Sequence, residues 1–226
     1  MKYIRKGEEP SYLKEYRAKV RDAKMSPKQG YEASDMPKAQ LLEDLIQEQG
    51  AICCYCMGRI RKDSQRPPHI EHYRPQSLDP KLALDYKNLL AVCFGQAIDN
   101  KGKRQWYCDH ENAKSNRPLQ FLDPLDPSCE KVLQYTAEGS MRSSREDVQQ
   151  DIDLLNLNCN FLRNARQQAI KPVLQEINKK FPNKTVSRSF LEERIKKWYS
   201  RGENDHFRPY CQAVIFTLQK LLAKAR

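Results

Sequence analysis

The sequence predicts an α+β fold in which a small core of short strands is flanked by helices on both sides. Cysteines and histidines concentrate between residues 51 and 117, where short apolar runs such as HIEHY and LLAVC are typical of strands. Apolar residues recur at helical spacing before and after this stretch. The chain should therefore comprise an N-terminal basic segment with a helix (residues 1–50), a cysteine-rich core (residues 51–117) and a mainly helical C-terminal region (residues 118–226).

The composition favours a polyanionic partner. Lysine and arginine number 40 against 29 acidic residues, giving a formal net charge of +11, and nucleic acid is the first partner that such a charge suggests. The start of the chain, MKYIRKGEEP, does not resemble a signal peptide, and no stretch approaches the ~20 apolar residues of a membrane span. We expect no membrane partner and a cytoplasmic location, where cysteines stay reduced or bind metals.

Three segments outside the core have clear local patterns. DMPKAQLLEDLIQEQG predicts a short helix that begins at Pro37 and ends at Gly50, and LQYTAEGSM predicts a hairpin with its bend at Gly139. Residues 152–177 predict one helix with an apolar face, and a further helix should begin near Pro209. The apolar stripe of that last helix is either core or a surface for a partner, and its members are Val214, Leu218, Leu221 and Leu222.

The cysteine spacing predicts a structural zinc site. Cys53 and Cys56 form a CxxC pair, and Cys93 and Cys108 would complete a tetrahedral set of thiolates. Cys54 is a poorer ligand than Cys53 because only one residue separates it from Cys56. A CxxC redox pair is the alternative, but it would require a thioredoxin-like pattern of strands and helices around it. The remaining cysteines have apolar or helical neighbours and are predicted to lie in the core: Cys129, Cys159 and Cys211.

The motifs between the cysteines, taken in order, resemble those of the HNH endonucleases. The segments that carry the resemblance, up to about residue 170, are MKYIRKGEEP, QGAICCYCMGRI, IEHYRPQS, DYKNLLAVC, CDHENAKSNRP, LDPLDP and LNLNCNFLRNAR. Within that group they are similar to the retron-associated and Septu PtuB proteins. The resemblance implies a zinc-stabilised ββα-metal (HNH) core and metal-dependent hydrolysis of phosphodiester bonds. The chain departs from the usual pattern by separating Cys93 from Cys108 and by placing Asp109 and His110 after the last cysteine.

The resemblance also assigns roles to individual residues. His72 corresponds to the general base, Glu71 to a ligand of a catalytic Mg²⁺ or Mn²⁺, and Asn88 to the residue that holds the histidine loop. Asp109 or His110 would complete the cation site: magnesium prefers the oxygen of Asp109, whereas manganese or zinc accepts the nitrogen of His110 more readily. The candidates for phosphate contacts are Arg74, Lys114 and Arg117.

Strand geometry constrains two of these expectations. Adjacent residues of a strand point to opposite faces, so a turn or bulge would have to bring Glu71 and His72 to one ion. His69 does not share the face of His72 and is predicted to be a strand residue or a supporting group.

The resemblance further implies a setting. The chain would be the toxic effector of an antiphage defence system, acting with a PtuA-like ATPase of the ABC or SMC type and with a retron reverse transcriptase and its DNA product. The sequence has no GxxxxGK[ST] run, so ATP hydrolysis would come from the partner, which could dock on the stripe at 214–222. DNA is the favoured substrate, and tRNA or another RNA is the alternative.

A zinc-stapled adaptor that binds nucleic acid or protein without catalysis is the competing hypothesis. It explains the charge and the cysteines equally well. Only a nuclease explains Glu71, His72, Asn88 and Asp109 together.

Overall fold

The computed structural model describes residues 1–61, 66–98, 101–108, 119, 121–182 and 185–225. These residues form seven α-helices and three two-stranded antiparallel sheets, which confirms the α+β class. The helix that would complete a ββα-metal unit after Cys108 falls outside the described residues. Within the described part of the chain, no helix combines the length and the apolar character needed to cross a membrane.

Three helices precede the cysteine-rich segment: α1 (Ser11–Asp22), α2 (Pro27–Glu32) and α3 (Lys38–Glu48). Helix α3 is the predicted helix, and it ends before Gly50, whose φ of +61° suits a residue without a Cβ. Helices α1 and α2 were not predicted separately. Leu41 and Leu45 of α3 are buried, so this helix covers one side of the central strands.

Two small sheets lie in the cysteine-rich segment. Strand β1 (His69–His72) pairs with β2 (Leu89–Val92), and β3 (Gln96–Ile98) pairs with β4 (Arg104–Trp106). Strand β2 is buried along its whole length beneath α3. The Gln49 side chain accepts a hydrogen bond from the Ala91 N–H at 2.7 Å and donates one to the Ala91 carbonyl at 2.8 Å. A glutamine thus takes the place of a third strand at the open edge of β2.

The C-terminal region contains the hairpin β5 (Gln134–Tyr135) and β6 (Met141–Arg142), followed by α4 (Glu146–Leu154), α5 (Asn160–Lys180), α6 (Arg188–Tyr199) and α7 (Cys211–Leu222). The predicted hairpin is confirmed, with Gly139 at a φ of +80° in its bend. The prediction of one helix over 152–177 is wrong, because the chain leaves the helical conformation between α4 and α5. Asn156 adopts a φ of +48° there, a left-handed conformation that asparagine tolerates.

Helix α7 begins at Cys211, two residues after Pro209. Val214 and Leu218 are fully buried, while Leu221 and Leu222 are partly buried against the same core. The core interpretation of this stripe is confirmed. Val214 and Leu218 are too deeply buried to contact a partner, and the docking of an ATPase on 214–222 stays a prediction.

All three predicted segments contribute to one hydrophobic core. The Ile4 N–H donates to the Pro124 carbonyl at 2.8 Å, and the Arg59 guanidinium donates to the Phe207 carbonyl at 2.5 Å. The cysteine-rich segment is therefore hydrogen-bonded and packed between the two ends of the chain. The predicted divisions near residues 50 and 117 stay a prediction.

Candidate functional site

Four sulfur atoms come together at the end of β2. The sulfurs of Cys53, Cys56, Cys93 and Cys108 all lie within 4.8 Å of one another. Cys53 Sγ is 3.8 Å from Cys108 Sγ, and Cys56 Sγ is 3.8 Å from Cys93 Sγ. Zinc–sulfur bonds of ~2.3 Å place tetrahedral ligands ~3.8 Å apart, so the cluster fits a zinc ion. The predicted four-cysteine set is confirmed as a cluster that could bind a structural metal such as zinc.

The first pair of ligands sits on a tight turn built by the CCYCMG sequence. The Cys53 N–H donates to the Gly58 carbonyl at 2.9 Å, and the Met57 N–H donates to the Cys53 carbonyl at 3.1 Å. Met57 adopts a φ of +63°, and the Gly58 N–H then points at Cys56 Sγ at 3.3 Å. Backbone N–H groups directed at sulfur favour the thiolate form that a metal requires.

The second pair of ligands lies at the two ends of the β3–β4 hairpin. Cys93 follows β2 directly, and Cys108 comes two residues after β4. Gly95 turns the chain at a φ of +69°, and its carbonyl accepts from the Tyr107 N–H at 2.8 Å. The residues that separate Cys93 from Cys108 thus form a hairpin, and the two cysteines lie together at its base.

Repulsion between neighbouring thiolates makes the cluster a favourable place for a cation. Burial, and then the neighbouring thiols of Cys53 and Cys56, raise the pKa of Cys108 well above its usual value. Burial also tends to raise the pKa of Cys53. Hydrogen bonds from the neighbouring cysteines, of which the one from Cys108 has the largest effect, outweigh burial and hold the pKa of Cys53 well below its usual value. One thiolate therefore suppresses the ionisation of its neighbours. A bound divalent ion would remove this repulsion and let all four sulfurs ionise.

The other cysteines are not part of this cluster. Cys54 is buried beside it, and its N–H donates to the Ala91 carbonyl at 3.2 Å, which agrees with the choice of Cys53 as ligand. Burial raises the pKa of the Cys129 thiol to about 12 and that of Cys211 to about 11. These two residues and Cys159 are buried, so the prediction that they belong to the core is confirmed.

His72 is held by a backbone carbonyl. Its Nε2 lies 3.0 Å from the Ala83 carbonyl oxygen, and Gln76 Nε2 lies 3.2 Å from its Nδ1. A carbonyl oxygen only accepts, so Nε2 carries the hydrogen and Nδ1 presents a lone pair in the neutral ring. The ring of Tyr31 packs edge-on against the imidazole, with the ring centroids 4.5 Å apart. This arrangement fixes both the orientation and the tautomer of a histidine that is only 9% exposed.

Asn88 closes the loop between β1 and β2. Its Oδ1 accepts from the Arg74 N–H at 2.7 Å, and its Nδ2 donates to the carbonyls of Arg74 at 3.1 Å and Leu82 at 3.2 Å. The buried amide of Asn88 therefore joins Arg74, two residues after His72, to Leu82, the residue before Ala83. Asn88 contacts the loop that the resemblance implies, and its catalytic role stays a prediction.

Glu71 lies on the other face of β1. The pairing of β1 with β2 is regular from His69↔Val92 to His72↔Leu89, so the expected bulge is absent there. Glu71 is 3% exposed, and its Oε1 accepts a hydrogen bond from the Tyr55 hydroxyl at 2.7 Å. A regular strand leaves adjacent side chains on opposite faces, and the contacts of Glu71 and His72 follow that rule. The expectation of a local distortion in β1 is therefore wrong.

The remaining predicted residues divide into two groups. Arg74 is exposed beside the histidine loop, and His69 is a strand residue on the face of Glu71, as predicted. The others lie outside the described residues: Asp109, His110, Lys114 and Arg117. Among the described residues, only the cysteine cluster groups three or more side chains that could ligate a metal. The catalytic cation site therefore stays a prediction.

Sequence patterns did not identify the groups that hold Glu71 and His72. Tyr55 lies inside the CCYC motif, whose spacing indicates metal binding by its cysteines and no role for the tyrosine. Ala83 acts through its carbonyl, which no side-chain pattern reports. Gln76 lies four residues after His72, in the segment RPQS. A polar side chain so close to the histidine was the one sequence feature that indicated a hydrogen-bond partner.

The comparisons with known proteins do not extend these observations. The chain matches no protein family model, and no curated protein matches it.

Proposed function

We propose that the chain is a metal-dependent endonuclease of the HNH type that hydrolyses phosphodiester bonds of nucleic acid. The observation that carries this proposal is the His72 imidazole, whose Nε2 is engaged by the Ala83 carbonyl while Nδ1 keeps its lone pair. A neutral imidazole oriented in this way is suited to take a proton from water near pH 7. The zinc-compatible cysteine cluster is the second supporting observation.

In the proposed reaction, Nδ1 of His72 accepts a proton from a water molecule. The resulting hydroxide attacks the phosphorus, and the bond to the departing 3′ oxygen breaks, with that oxygen taking up a proton from a second water molecule. The His72 imidazolium then returns its proton to solvent, which neutralises the hydroxide left by that second water molecule. Gln76, which donates to Nδ1 at 3.2 Å, occupies the direction from which the water would approach. It would have to turn aside when substrate binds. The cation would neutralise the phosphate charge. The resemblance assigns its ligands as Glu71 with Asp109 or His110, and Glu71 would have to leave the Tyr55 hydroxyl on the other face of β1 to reach that ion.

A basic cavity adjoins the histidine loop and supports binding of a phosphate backbone. It has a volume of about 540 Å³ and is lined by residues of α1 and by Lys81, which lies two positions before Ala83. Its cationic lining residues are Lys14, Arg17, Arg21, Lys24 and Lys81, against two acidic ones, Glu9 and Asp85. Lys14, Arg17 and Arg21 recur at intervals of three and four residues within α1, so they share one face of the helix.

The test is a cleavage assay on the purified chain, with plasmid DNA and total RNA offered separately in magnesium or manganese. The His72→Ala variant should lose cleavage at unchanged folding. His69→Ala is the matched control, because it alters a histidine of the same strand on the other face. Equal activity of wild-type and His72→Ala protein would refute the proposal.

The proposal includes a biological setting that the sequence resemblance suggests. The nuclease would act as a toxic effector in antiphage defence, together with an ATPase of the ABC or SMC type and a retron reverse transcriptase with its DNA product. DNA is the favoured substrate, with tRNA or other RNA as the alternative. If cleavage requires the partner, the assay with the co-purified ATPase and nucleotide should be active when the chain alone is not.

A zinc-stapled adaptor without catalysis is the second candidate function. The observation that favours it is the position of Glu71, which faces away from His72 and is already bound by Tyr55. On this hypothesis the carboxylate supports the zinc-binding turn. The absence of cleavage of either polymer, even with the partner present, would favour the adaptor.

A further inference from the structure

We propose that the β3–β4 hairpin, together with the arginines that face it, binds unpaired nucleotides of a single-stranded nucleic acid by stacking and charge. No sequence motif assigned a role to this hairpin, which occupies the interval between two zinc-ligand candidates. The inference goes beyond the proposed cleavage and holds equally for the adaptor, because it concerns binding alone.

The outward face of the hairpin carries the aromatic part of this surface. The register pairs Gln96 with Trp106 and Ile98 with Arg104, while the buried Ala97 marks the inward face. Ile98 is 59% exposed, the highest value among the large apolar side chains that the structure describes. Phe94 is 37% exposed, and its ring centroid lies 6.4 Å from that of Trp106 with the planes tilted by 54°. Two neighbouring rings thus flank a solvent-facing strip.

A cavity with a basic wall adjoins Phe94. Its volume is about 240 Å³, and its lining includes Arg61, Arg66 and Phe94. Arg66 Nη1 donates to the Gln96 carbonyl at 3.3 Å, which connects this wall to the hairpin. The exposed cations of the combined surface are Arg61, Arg66, Lys101, Lys103 and Arg104. The described residues 59–61, 66–70, 93–98 and 101–106 contain no aspartate or glutamate.

Aromatic rings beside clustered cations suit unpaired nucleotides better than a duplex. Bases stack on exposed rings only when they are not already stacked and paired, and their phosphates then need nearby positive charge. A duplex would contact the cations alone and leave Phe94, Trp106 and Ile98 outside the interface. The combination of rings and charge therefore favours single strands.

The cysteine cluster would hold this surface in place. Cys93 immediately precedes Phe94, and Cys108 lies two residues after Trp106, so both ends of the hairpin are tied to the metal site. Two isolated strands of three residues are too short to be stable alone. A bound zinc would order the rings before the nucleotide arrives, which lowers the entropy lost on binding.

The experiment measures binding without cleavage, in buffer lacking added magnesium or manganese. Fluorescence anisotropy would compare a labelled single strand of about 12 nucleotides, as DNA and as RNA, with the corresponding duplexes. Phe94→Ala should weaken single-strand binding roughly tenfold. Phe121→Ala is the matched control, because Phe121 is also an exposed phenylalanine and has Arg145 over its ring. Its affinity should equal that of the wild type.

Two further measurements keep the test decisive if Phe94→Ala loses zinc. The chain has two tryptophans, so a Trp198→Phe background leaves Trp106 as the only reporter, and single strands should quench its emission.

The double variant Lys103→Gln, Arg104→Gln should reduce the slope of log affinity against log salt by about 1.4. Tighter binding of single strands with quenching of Trp106 supports the proposal. Equal affinity for duplex, or full single-strand binding without quenching, overturns it.

Failure of this inference is distinguishable from failure of the proposed function. His72→Ala leaves the hairpin unchanged and should bind single strands as the wild type does. A chain that cleaves but shows no quenching of Trp106 would refute only the hairpin surface. A chain that binds but never cleaves would refute only the nuclease.

Discussion

Gly95 should be the backbone position on which the metal site depends most, and Gly102 provides a matched comparison. Both glycines lie between Cys93 and Cys108, and both have a positive φ, +69° and +75°. A Cβ on Gly102 would meet no atom of the described residues within 4 Å. A Cβ on Gly95 would lie 2.1 Å from the Tyr107 carbonyl oxygen, a backbone atom that no rotamer change can move.

The expected magnitudes follow from this difference. At Gly102, alanine adds only the strain of a left-handed conformation, about 1 kcal/mol, which corresponds to roughly 2–4 °C in Tm. At Gly95, the turn must open by about 1 Å to reach the shortest Cβ contacts seen in proteins. Opening it also disturbs the buried hydrogen bond from the Tyr107 N–H, so the total should reach about 3 kcal/mol, roughly 6–12 °C.

The assay is thermal unfolding of both variants at one fixed zinc concentration, together with the zinc content of each purified protein. Gly95→Ala should lose zinc because Cys93 and Cys108 lie on either side of the altered turn. Gly102→Ala should keep the wild-type content. If the two variants melt together and both retain zinc, the packing of Gly95 against Tyr107 does not control the metal site.

Three further predictions concern stability. Removing zinc with a strong chelator should unfold residues 51–117 and expose the cluster thiols to a thiol reagent, whereas unchanged melting would contradict a metal at this site. Arg166→Met should lower the free energy of unfolding, measured by urea titration, by about 2–4 kcal/mol, because the buried guanidinium donates to the Leu157 carbonyl at 2.6 Å. Arg188→Ala is the control: it removes an exposed ion pair and should change the free energy of unfolding by less than ~0.5 kcal/mol. Burial raises the pKa of Tyr31 to about 12, so above pH 10 the unfolded chain loses this proton first and stability should fall up to pH 12. Tyr31→Phe should flatten that decline, and an identical decline in the variant would contradict it.

The parts of the molecule that were predictable are those fixed by local chemistry. Cys53 and Cys56 have the spacing that a tetrahedral ion requires, and that spacing is visible without any knowledge of the fold. The helix before Gly50 and the hairpin at Gly139 depend on residues that permit a positive φ. Each of these features is determined within a few positions of the sequence.

The parts that were not predictable depend on contacts between distant segments. Arg166 resembles a surface residue of a helix, yet it is fully buried because the carbonyls of Gly139 and Leu157 surround its guanidinium. The break between α4 and α5 was visible only as the repeated asparagines of LNLNCN, and apolar periodicity outweighed them. Glu71 and His72 were expected to meet at a distortion of β1, but a fully buried β2 holds β1 in regular register.

The two candidate centres are connected through β2. This strand has four residues, with Asn88 immediately before it and Cys93 immediately after it. Asn88 fixes the histidine loop, and Cys93 fixes the hairpin, so a displacement of the metal site would be transmitted along a buried strand to His72. Loss of cleavage on chelation would therefore follow from loss of the structural zinc even if no second cation took part. Gly95→Ala separates these effects, because it replaces no residue in contact with His72 and can act on the histidine loop only through the metal site. If that variant, repleted with zinc, recovers cleavage only when magnesium or manganese is also added, the reaction requires a second cation distinct from the one bound by the cysteines.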